Sequence, residues 1–255
     1  MLSDLRYALR AMARNRGTTA IAAFALALGI GANTAMFSVL NAALLRPLPF
    51  KDPGRLVWIW MTNPSRNLPQ AFMAYWQFDE WRRQAKSLES ASAYRPGAVN
   101  LVVGSEPERV DTMWVNASFL PLLGVQPVLG RNFSPEEDRP GAARVALLNY
   151  GLWQRRFGGD RGVIGKSVLL DSQPCTVIGV LPKDFAISRD TDLYLPLASP
   201  STRASPAGWS VGVYARLKPG ATLQRAENEI NGYYRQLEKD MPHIKGWQVR
   251  LWGMR

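Results

Sequence analysis

With 255 residues, of which 47% are hydrophobic and 20% charged, the chain is neither disordered nor uniformly apolar in composition. Its single cysteine and single histidine exclude an intramolecular disulfide, a cysteine-based zinc site and a histidine metal cluster. The net charge of +11 would suit a nucleic acid or an anionic membrane, so the position of the charges along the chain has to decide between them.

Residues 1–17 predict a short amphipathic helix. Leu5, Leu9 and Met12 recur at helical spacing, while Arg6 and Arg10 step by four along another face. Such a helix is suited to lying in the headgroup layer of a membrane. The same residues also fit an ordinary basic flank of a membrane anchor, and both interpretations stay open.

Residues 18–45 predict a transmembrane helix, because TTAIAAFALALGIGANTAMFSVLNAALL contains no charged residue. About 20 helical residues already cross a hydrocarbon core. A cleaved signal peptide has a shorter apolar region and a small-residue cleavage site, which the sequence LLRP at 44–47 does not offer. The denser cluster of arginines precedes the run, which predicts a cytoplasmic N-terminus and an extracytoplasmic location for the chain after residue 46.

Small residues inside this run predict close packing against another helix. Ala27, Gly31 and Ala35 are four positions apart, and Asn33 or Asn41 could donate a hydrogen bond across such a contact. The alternative is a run that is merely rich in alanine.

From residue 46 onwards the pattern is that of an α+β domain. Strands are predicted at 55–61, 98–103, 109–115, 144–149, on both sides of the turn at 172–174, at 210–218 and from about 247. Helices are predicted at 74–89, 117–123, 151–157 and from 222 onwards. These elements are interspersed without regular βαβ units, which favours the α+β class over a doubly wound sheet.

The stretch FGGDRGVIGKS at 157–167 approaches a nucleotide-binding loop. Gly165, Lys166 and Ser167 match the end of that motif, but Asp160 stands where its first glycine belongs. A phosphate-binding loop follows a strand and begins a helix, whereas here a predicted helix comes first and a hairpin follows. The sequence therefore predicts a helix C-cap and a turn, with no ATP binding.

The remaining candidates for chemistry have structural interpretations. The acidic residues 136–138 lie between two prolines and are interpreted as a solvated loop, not a cation site. His243 is interpreted as a loop residue, Cys175 as a small core residue and most tryptophans as core residues. No catalytic, cofactor-binding or metal-ligating residue is predicted. Arginines are spread without a basic stripe, so no nucleic-acid partner is predicted, and attraction to anionic lipid accounts for the charge.

Five segments, in this order, carry a resemblance to a known family: LRYALRAMARNRGTTAIAAFALALGIGANTAMFSVLNAALLRPLPF, RLVWIW, FLPLLGVQPVLGRNF, VALLNYGLWQRRFGGDRGVIGKSVLLDSQPCTVIGVLPKDF and YARLKPGATLQRAENEI. Together they resemble ABC-type permeases of the macrolide-exporter (MacB-like) family. Within it they look closest to the duplicated orphan permeases described from acidobacteria. The resemblance runs over nearly the whole chain.

The resemblance implies a cytoplasmic amphipathic helix at 1–17, a transmembrane helix at 18–45 and a periplasmic core domain of two α+β lobes at 46–255, in the inner membrane. It implies a permease component that couples ATP hydrolysis by a separate ABC ATPase subunit to motion of the periplasmic domain. A dimer of permeases, membrane lipid and a periplasmic partner are the implied contacts. Such permeases continue into three more membrane helices, so we expect this polypeptide to be the front piece of one.

Within that scheme, Leu5, Leu9, Met12, Arg6 and Arg10 would lie near the motor, while the small residues at 27, 31 and 35 would pack the moving helices. The ATP chemistry would belong to another chain. Two other classes of function stay open. One is a free-standing, membrane-anchored extracytoplasmic binding or scaffold protein. The other is an anchored enzyme, for which no nucleophile–His–acid set of recognisable spacing is present.

Overall fold

The structure is a computed structural model that describes residues 14–40, 50–104, 106–185, 187, 191–199 and 210–254. It divides into two compact units, Met1–Leu48 and Pro49–Arg255, each of which is described by itself. The five residues predicted to lie near the motor, Leu5, Leu9, Met12, Arg6 and Arg10, fall outside the described residues.

The first unit contains helix α1, Arg16–Leu40. Its stretch Thr19–Phe37 has a mean hydropathy of 1.8 and is long and apolar enough to cross a membrane. Large apolar side chains are exposed along it, among them Ile21, Phe24, Leu28 and Phe37. A helix that is apolar all round has no polar face to turn to water, so lipid is its matching environment. Residues 41–45 of the predicted span lie outside the described part of the chain.

The described residues of the second unit form strands and four α-helices. The helices are α2 Tyr75–Arg82, α3 Phe119–Leu123, α4 Tyr150–Phe157 and α5 Leu223–Asp240. The strands are β1 Leu56–Asn63, β2 Leu68–Ala71, β3 Met73–Ala74, β4 Leu88–Val103, β5 Glu106–Val115, β6 Leu129–Gly130, β7 Val145–Leu148, β8 Ser167–Leu170, β9 Gln173–Val180, β10 Leu193–Pro196, β11 Ser210–Leu217 and β12 Gln248–Gly253.

These strands form one mixed sheet in the order β12-β1-β11-β4-β5-β10-β7-β9-β6. The pairs β5/β10 and β7/β9 are parallel, and the other pairs are antiparallel. The strands β2 and β3 add to β1 and β11, and β8 pairs with both β4 and β9. Helices do not alternate regularly with strands along the chain, so the predicted α+β class is confirmed.

Among the described residues, two hydrophobic cores lie along this sheet. The first core joins β1, β11 and β12 to α2 and α5. The helix α5 begins at its cap Thr222, whose hydroxyl accepts from the backbone N–H of Arg225 at 3.2 Å. Its residues Ala226, Ile230, Tyr234 and Leu237 are buried at a spacing of three to four.

The second core lies under β7 to β10 and α4. The strand β4, which is 16 residues long, contributes to both cores, and Trp114 of β5 packs against both. The prediction of a helix over 74–89 was wrong at its end, because α2 stops at Arg82 and β4 starts at Leu88. Leu88 pairs with Leu217 of β11, so strand pairing overrides the local helical pattern there.

Candidate functional site

The three small residues predicted to pack helices lie in α1 and are exposed in the structure. A Cβ added at Gly31 would meet no atom within 4 Å outside its own helix. Ala27 and Ala35 stand one turn to either side of Gly31, so the three positions share a helix face. Packing of this face against a second helix stays a prediction.

The loop that approaches a nucleotide-binding motif is organised around Asp160. One oxygen of its carboxylate accepts from the backbone N–H of Gly162 at 2.8 Å, and the other accepts from Lys166 Nζ at 2.8 Å. The hydrogen bond from Lys166 holds the pKa of Asp160 below its ordinary value. The preceding helix α4 ends at Gly158 with φ 60°, and the hairpin β8–β9 follows, in the predicted order. The backbone amide of Gly162 and the ammonium of Lys166, which could bind a phosphate, therefore already donate to this carboxylate.

The acidic loop at 136–138 is only partly solvated. Glu136 is exposed, as predicted. Asp138 is half-buried, and one oxygen of its carboxylate accepts from Asn116 Nδ2 and from the N–H of Ala117, each at 2.9 Å. Its other oxygen accepts from the N–H of Ala198 at 2.9 Å. Asp138 thus ties its loop to the ends of β5 and β10, and the prediction of a solvated loop was wrong for this residue.

The other chemically active residues lie where the sequence predicted. His243 is exposed in a short turn of 3₁₀ helix, Pro242–Ile244. Cys175 is 1% exposed in the second core, and burial raises the pKa of its thiol to about 11. Trp81 is 1% exposed and packs in the first core. Within the described part of the chain, no three His, Cys, Asp or Glu side chains are grouped to hold a metal ion.

The prediction that most tryptophans lie in the core was wrong for Trp58 and Trp60 of β1, which are half-buried and belong to an aromatic cluster. Trp58 stacks on Tyr214 with ring centroids 5.8 Å apart, and Tyr214 stacks on Tyr94 at 4.7 Å. Trp58 Nε1 donates to the Tyr94 hydroxyl at 2.8 Å. Gly212 makes room for this arrangement, since a Cβ there would lie 2.4 Å from the Tyr94 ring. Alternation in LVWIW was the available signal: it places Trp58 and Trp60 on the sheet face opposite the first core.

The domain has grooves of ligand size. One, of about 580 Å³, lies between α2 and α5 and is lined by Trp81, Lys86, Glu229 and Tyr233 among others. The Tyr233 hydroxyl donates to Glu80 Oε2 at 2.8 Å across it. Both oxygens of Glu229 accept from Ser87, so Glu80 and Glu229 both accept hydrogen bonds from residues of the groove or next to it.

The first residues of the second unit, Phe50–Arg55, form a segment that we call the junction segment, because it follows α1 in the chain. Phe50 is 6% exposed and therefore belongs to the folded domain. The N–H of Lys51 donates to the carbonyl of Leu123 at the end of α3, at 3.0 Å. The junction segment is thus fixed to the domain before β1 begins.

An apolar helix of membrane-spanning length, followed in the chain by a mixed α+β domain, fits the class of membrane-anchored proteins with a folded domain outside the membrane. Residues 19–233, most of the chain, match the family model described as MacB-like periplasmic core domain. The chain therefore belongs to this family, and the resemblance seen in the sequence is confirmed.

The sequences of curated relatives align with parts of this chain. It is 34% identical over 90 residues to the pyoverdine export ATP-binding/permease protein PvdT of Pseudomonas syringae pv. tomato, covering 35% of this chain and 14% of that protein. It is 26% identical over 140 residues to the macrolide export ATP-binding/permease protein MacB of Burkholderia thailandensis, covering 54% of this chain and 20% of that protein. The matched part thus spans a fifth or less of each of these relatives.

Solved structures share the fold. The periplasmic region of MacB from Actinobacillus actinomycetemcomitans superposes with a TM-score of 0.57 at 17% identity, covering 76% of this chain and 87% of that one. The extracellular domain of the noncanonic ABC-type transporter YknZ from Gram-positive bacteria gives 0.58 at 15% identity, covering 76% of this chain and 98% of that one. The apolar helix and this domain fit an inner-membrane protein with an extracytoplasmic domain.

Proposed function

We propose that this chain is a permease component of an ABC-type export system. The observation that carries the proposal is the order of two parts along the chain. An apolar helix of membrane-spanning length ends at Leu40, and the folded domain of the MacB-like periplasmic core family is described from Phe50 onwards. In this proposal we assign residues 1–17 to a cytoplasmic amphipathic helix, 18–45 to the membrane span and 46–255 to the periplasmic domain. The export function named for the relatives supports this assignment.

In this proposal a separate ABC ATPase subunit hydrolyses ATP and the membrane helices carry the motion to the periplasmic lobes. The face of Ala27, Gly31 and Ala35 packs against a second membrane helix, in a dimer of permeases. The basic residues Arg6 and Arg10 lie at the membrane face near the motor, against anionic lipid.

Cysteine labelling of the full chain in right-side-out membrane vesicles tests the arrangement. Cys175 is buried with a raised thiol pKa, so it contributes little background. The variant Leu169→Cys places a thiol at a position that is 43% exposed in the extracytoplasmic domain. The matched variant Arg14→Cys places one before α1, at another exposed position.

A membrane-impermeant maleimide should label Leu169→Cys in intact vesicles and Arg14→Cys only after permeabilisation. The reverse pattern would contradict the orientation. In permeabilised native membranes, ATP turnover should also change the labelling rate at Leu169→Cys at least twofold. A rate that ATP leaves unchanged would favour the alternative, a membrane-anchored binding or scaffold protein.

A further inference from the structure

Arg216 of β11 is a buried arginine that makes no ion pair with the carboxylates of the described residues. Its side chain is among the largest that are fully buried, with 2% of the residue exposed. The nearby carboxylates of Asp52 and Glu89 pair with Arg55 instead. Burial lowers the pKa of Arg216, as expected for a cation withdrawn from water. An isolated buried charge is costly, so the groups that the guanidinium does contact need an explanation.

Those groups are two backbone carbonyls from different parts of the domain. Arg216 Nη1 donates to the carbonyl of Asp52 in the junction segment at 3.1 Å. Arg216 Nη2 donates to the carbonyl of Leu122 in the last turn of α3 at 2.6 Å. The second contact satisfies a helix carbonyl that lacks an intrahelical partner, at the end of the helix where a cation is favoured. A planar guanidinium can hold both carbonyls in fixed geometry, which a lysine cannot do.

Two further contacts hold the junction segment against β11 and α3. Arg55 Nη1 donates to the carbonyl of Leu217, the residue after Arg216, at 2.9 Å. The Lys51 N–H reaches Leu123 of α3, and the next residue, Gly124, has φ +73°. A Cβ at Gly124 would lie 2.5 Å from the Lys51 Cβ, so the close approach requires glycine. The junction segment is therefore held by β11 and α3 together.

Arg216 lies in YARLKPG, part of a segment that carried the family resemblance but received no role from it. In chain order the junction segment is the first part of the domain to receive any displacement of α1. Without Arg216 the junction segment would keep only the half-exposed Arg55 contact to β11 and the Lys51 backbone contact to α3 among the contacts described above. With Arg216 the displacement reaches β11, at the centre of the first core, and α3 at the same time.

We infer that Arg216 is a positioning residue that locks the junction segment to β11 and α3, so that motion of the membrane helix is transmitted to the whole domain. This inference rests on the proposed function for the motion, and on geometry alone for the lock.

The test uses the full chain in native membranes or nanodiscs, with Arg216→Met, Arg216→Lys and the control Arg250→Met. Arg250 of β12 is 60% exposed in its side chain, has only a 3.8 Å contact to Glu227, and stands two strands away from Arg216 in the sheet. Two thiol reporters follow the motion: Lys51→Cys in the junction segment and Leu169→Cys in the second lobe.

Hydrogen exchange tests the lock. In Arg216→Met, amides of the junction segment, residues 50–55, should exchange at least tenfold faster, while those of β12, residues 248–253, stay unchanged. ATP-dependent labelling tests the transmission: the response at Lys51→Cys should persist while that at Leu169→Cys falls at least threefold. Arg216→Lys should lie between Arg216→Met and the unsubstituted chain, because one carbonyl can still be reached, and Arg250→Met should match the unsubstituted chain.

Unchanged exchange in residues 50–55 would overturn the inference. So would faster exchange everywhere with equal loss at both reporters, since that pattern means a purely structural arginine. No ATP response in the unsubstituted chain would refute the proposed function, while the exchange result would still decide the lock. If Arg216→Met does not fold, Arg55→Gln is used instead, because it removes the half-exposed hydrogen bond from Arg55 to the Leu217 carbonyl. It must then show the same changes in exchange and labelling, but smaller.

Discussion

Asp138 offers the sharpest test of the side-chain geometry, because one carboxylate joins three segments of the domain. In Asp138→Ala the donors of Asn116, Ala117 and Ala198 lose their acceptor. A donor left without a partner away from bulk water costs about 1–3 kcal/mol. Asn116 keeps its hydrogen bond to the Tyr75 hydroxyl at 3.2 Å, so we place the total near the lower limit, at about 3–5 kcal/mol.

This loss is measurable as a shift in thermal unfolding of the full chain in detergent, followed by tryptophan fluorescence. For a domain of this size, about 1 kcal/mol corresponds to about 2–4 °C, so Asp138→Ala should lower Tm by about 10 °C. The matched control is Glu136→Ala, which removes an exposed carboxylate two positions away and should change stability by less than about 0.5 kcal/mol. Asp138→Asn keeps one acceptor oxygen and should lose about half as much. A difference of under about 1 kcal/mol between Asp138→Ala and Glu136→Ala would refute the reasoning.

Three further predictions follow from single contacts. Asn231 of α5 covers the free edge of β12, because its side-chain amide pairs with both the N–H and the carbonyl of Val249. Asn231→Leu should therefore promote association through that edge, measured by light scattering. The control Asn228→Leu, at an exposed position of the same helix, should not. The hydrogen bond from Arg131 lowers the pKa of Glu137. The stability that this pair supplies is therefore present above the unfolded pKa of about 4.3 and is lost as pH falls through the lowered pKa of the folded state. Arg131→Met should flatten the acid side of a stability–pH curve between about pH 2 and 5. Cys175 should react with a disulfide reagent at pH 8 only as fast as the domain unfolds, and fast reaction in the folded protein would contradict its burial.

The membrane helix and the last helix could be predicted because their signals are local. An uncharged run of spanning length defines α1, and the three-to-four spacing of apolar residues together with the cap Thr222 defines α5. The order around Asp160 was also predictable, because glycines end helices whether or not a phosphate is near. In each case the residues that decide the structure are neighbours in the chain.

The contacts that hold the domain together were not predictable in the same way. Arg216 donates to carbonyls 164 and 94 positions away, and Asp138 accepts from an N–H 60 positions away. The acceptors of Arg216 are backbone atoms, which every residue carries, so no residue type at those positions indicates the contact. The start of β4 at Leu88 was predicted wrongly for a related reason. The helical pattern around Leu88 is local, whereas its strand pairing with β11 depends on residues more than a hundred positions later.

The central claim is that ATP hydrolysis by another subunit moves the extracytoplasmic domain of this chain. The most direct measurement is the labelling rate of Leu169→Cys in permeabilised native membranes with ATP, with ATP and vanadate, and without nucleotide. The account predicts a rate that changes at least twofold during turnover and returns to a fixed value when vanadate stops the cycle. Equal rates in all three conditions, with the two topology reporters labelling as expected, would contradict it.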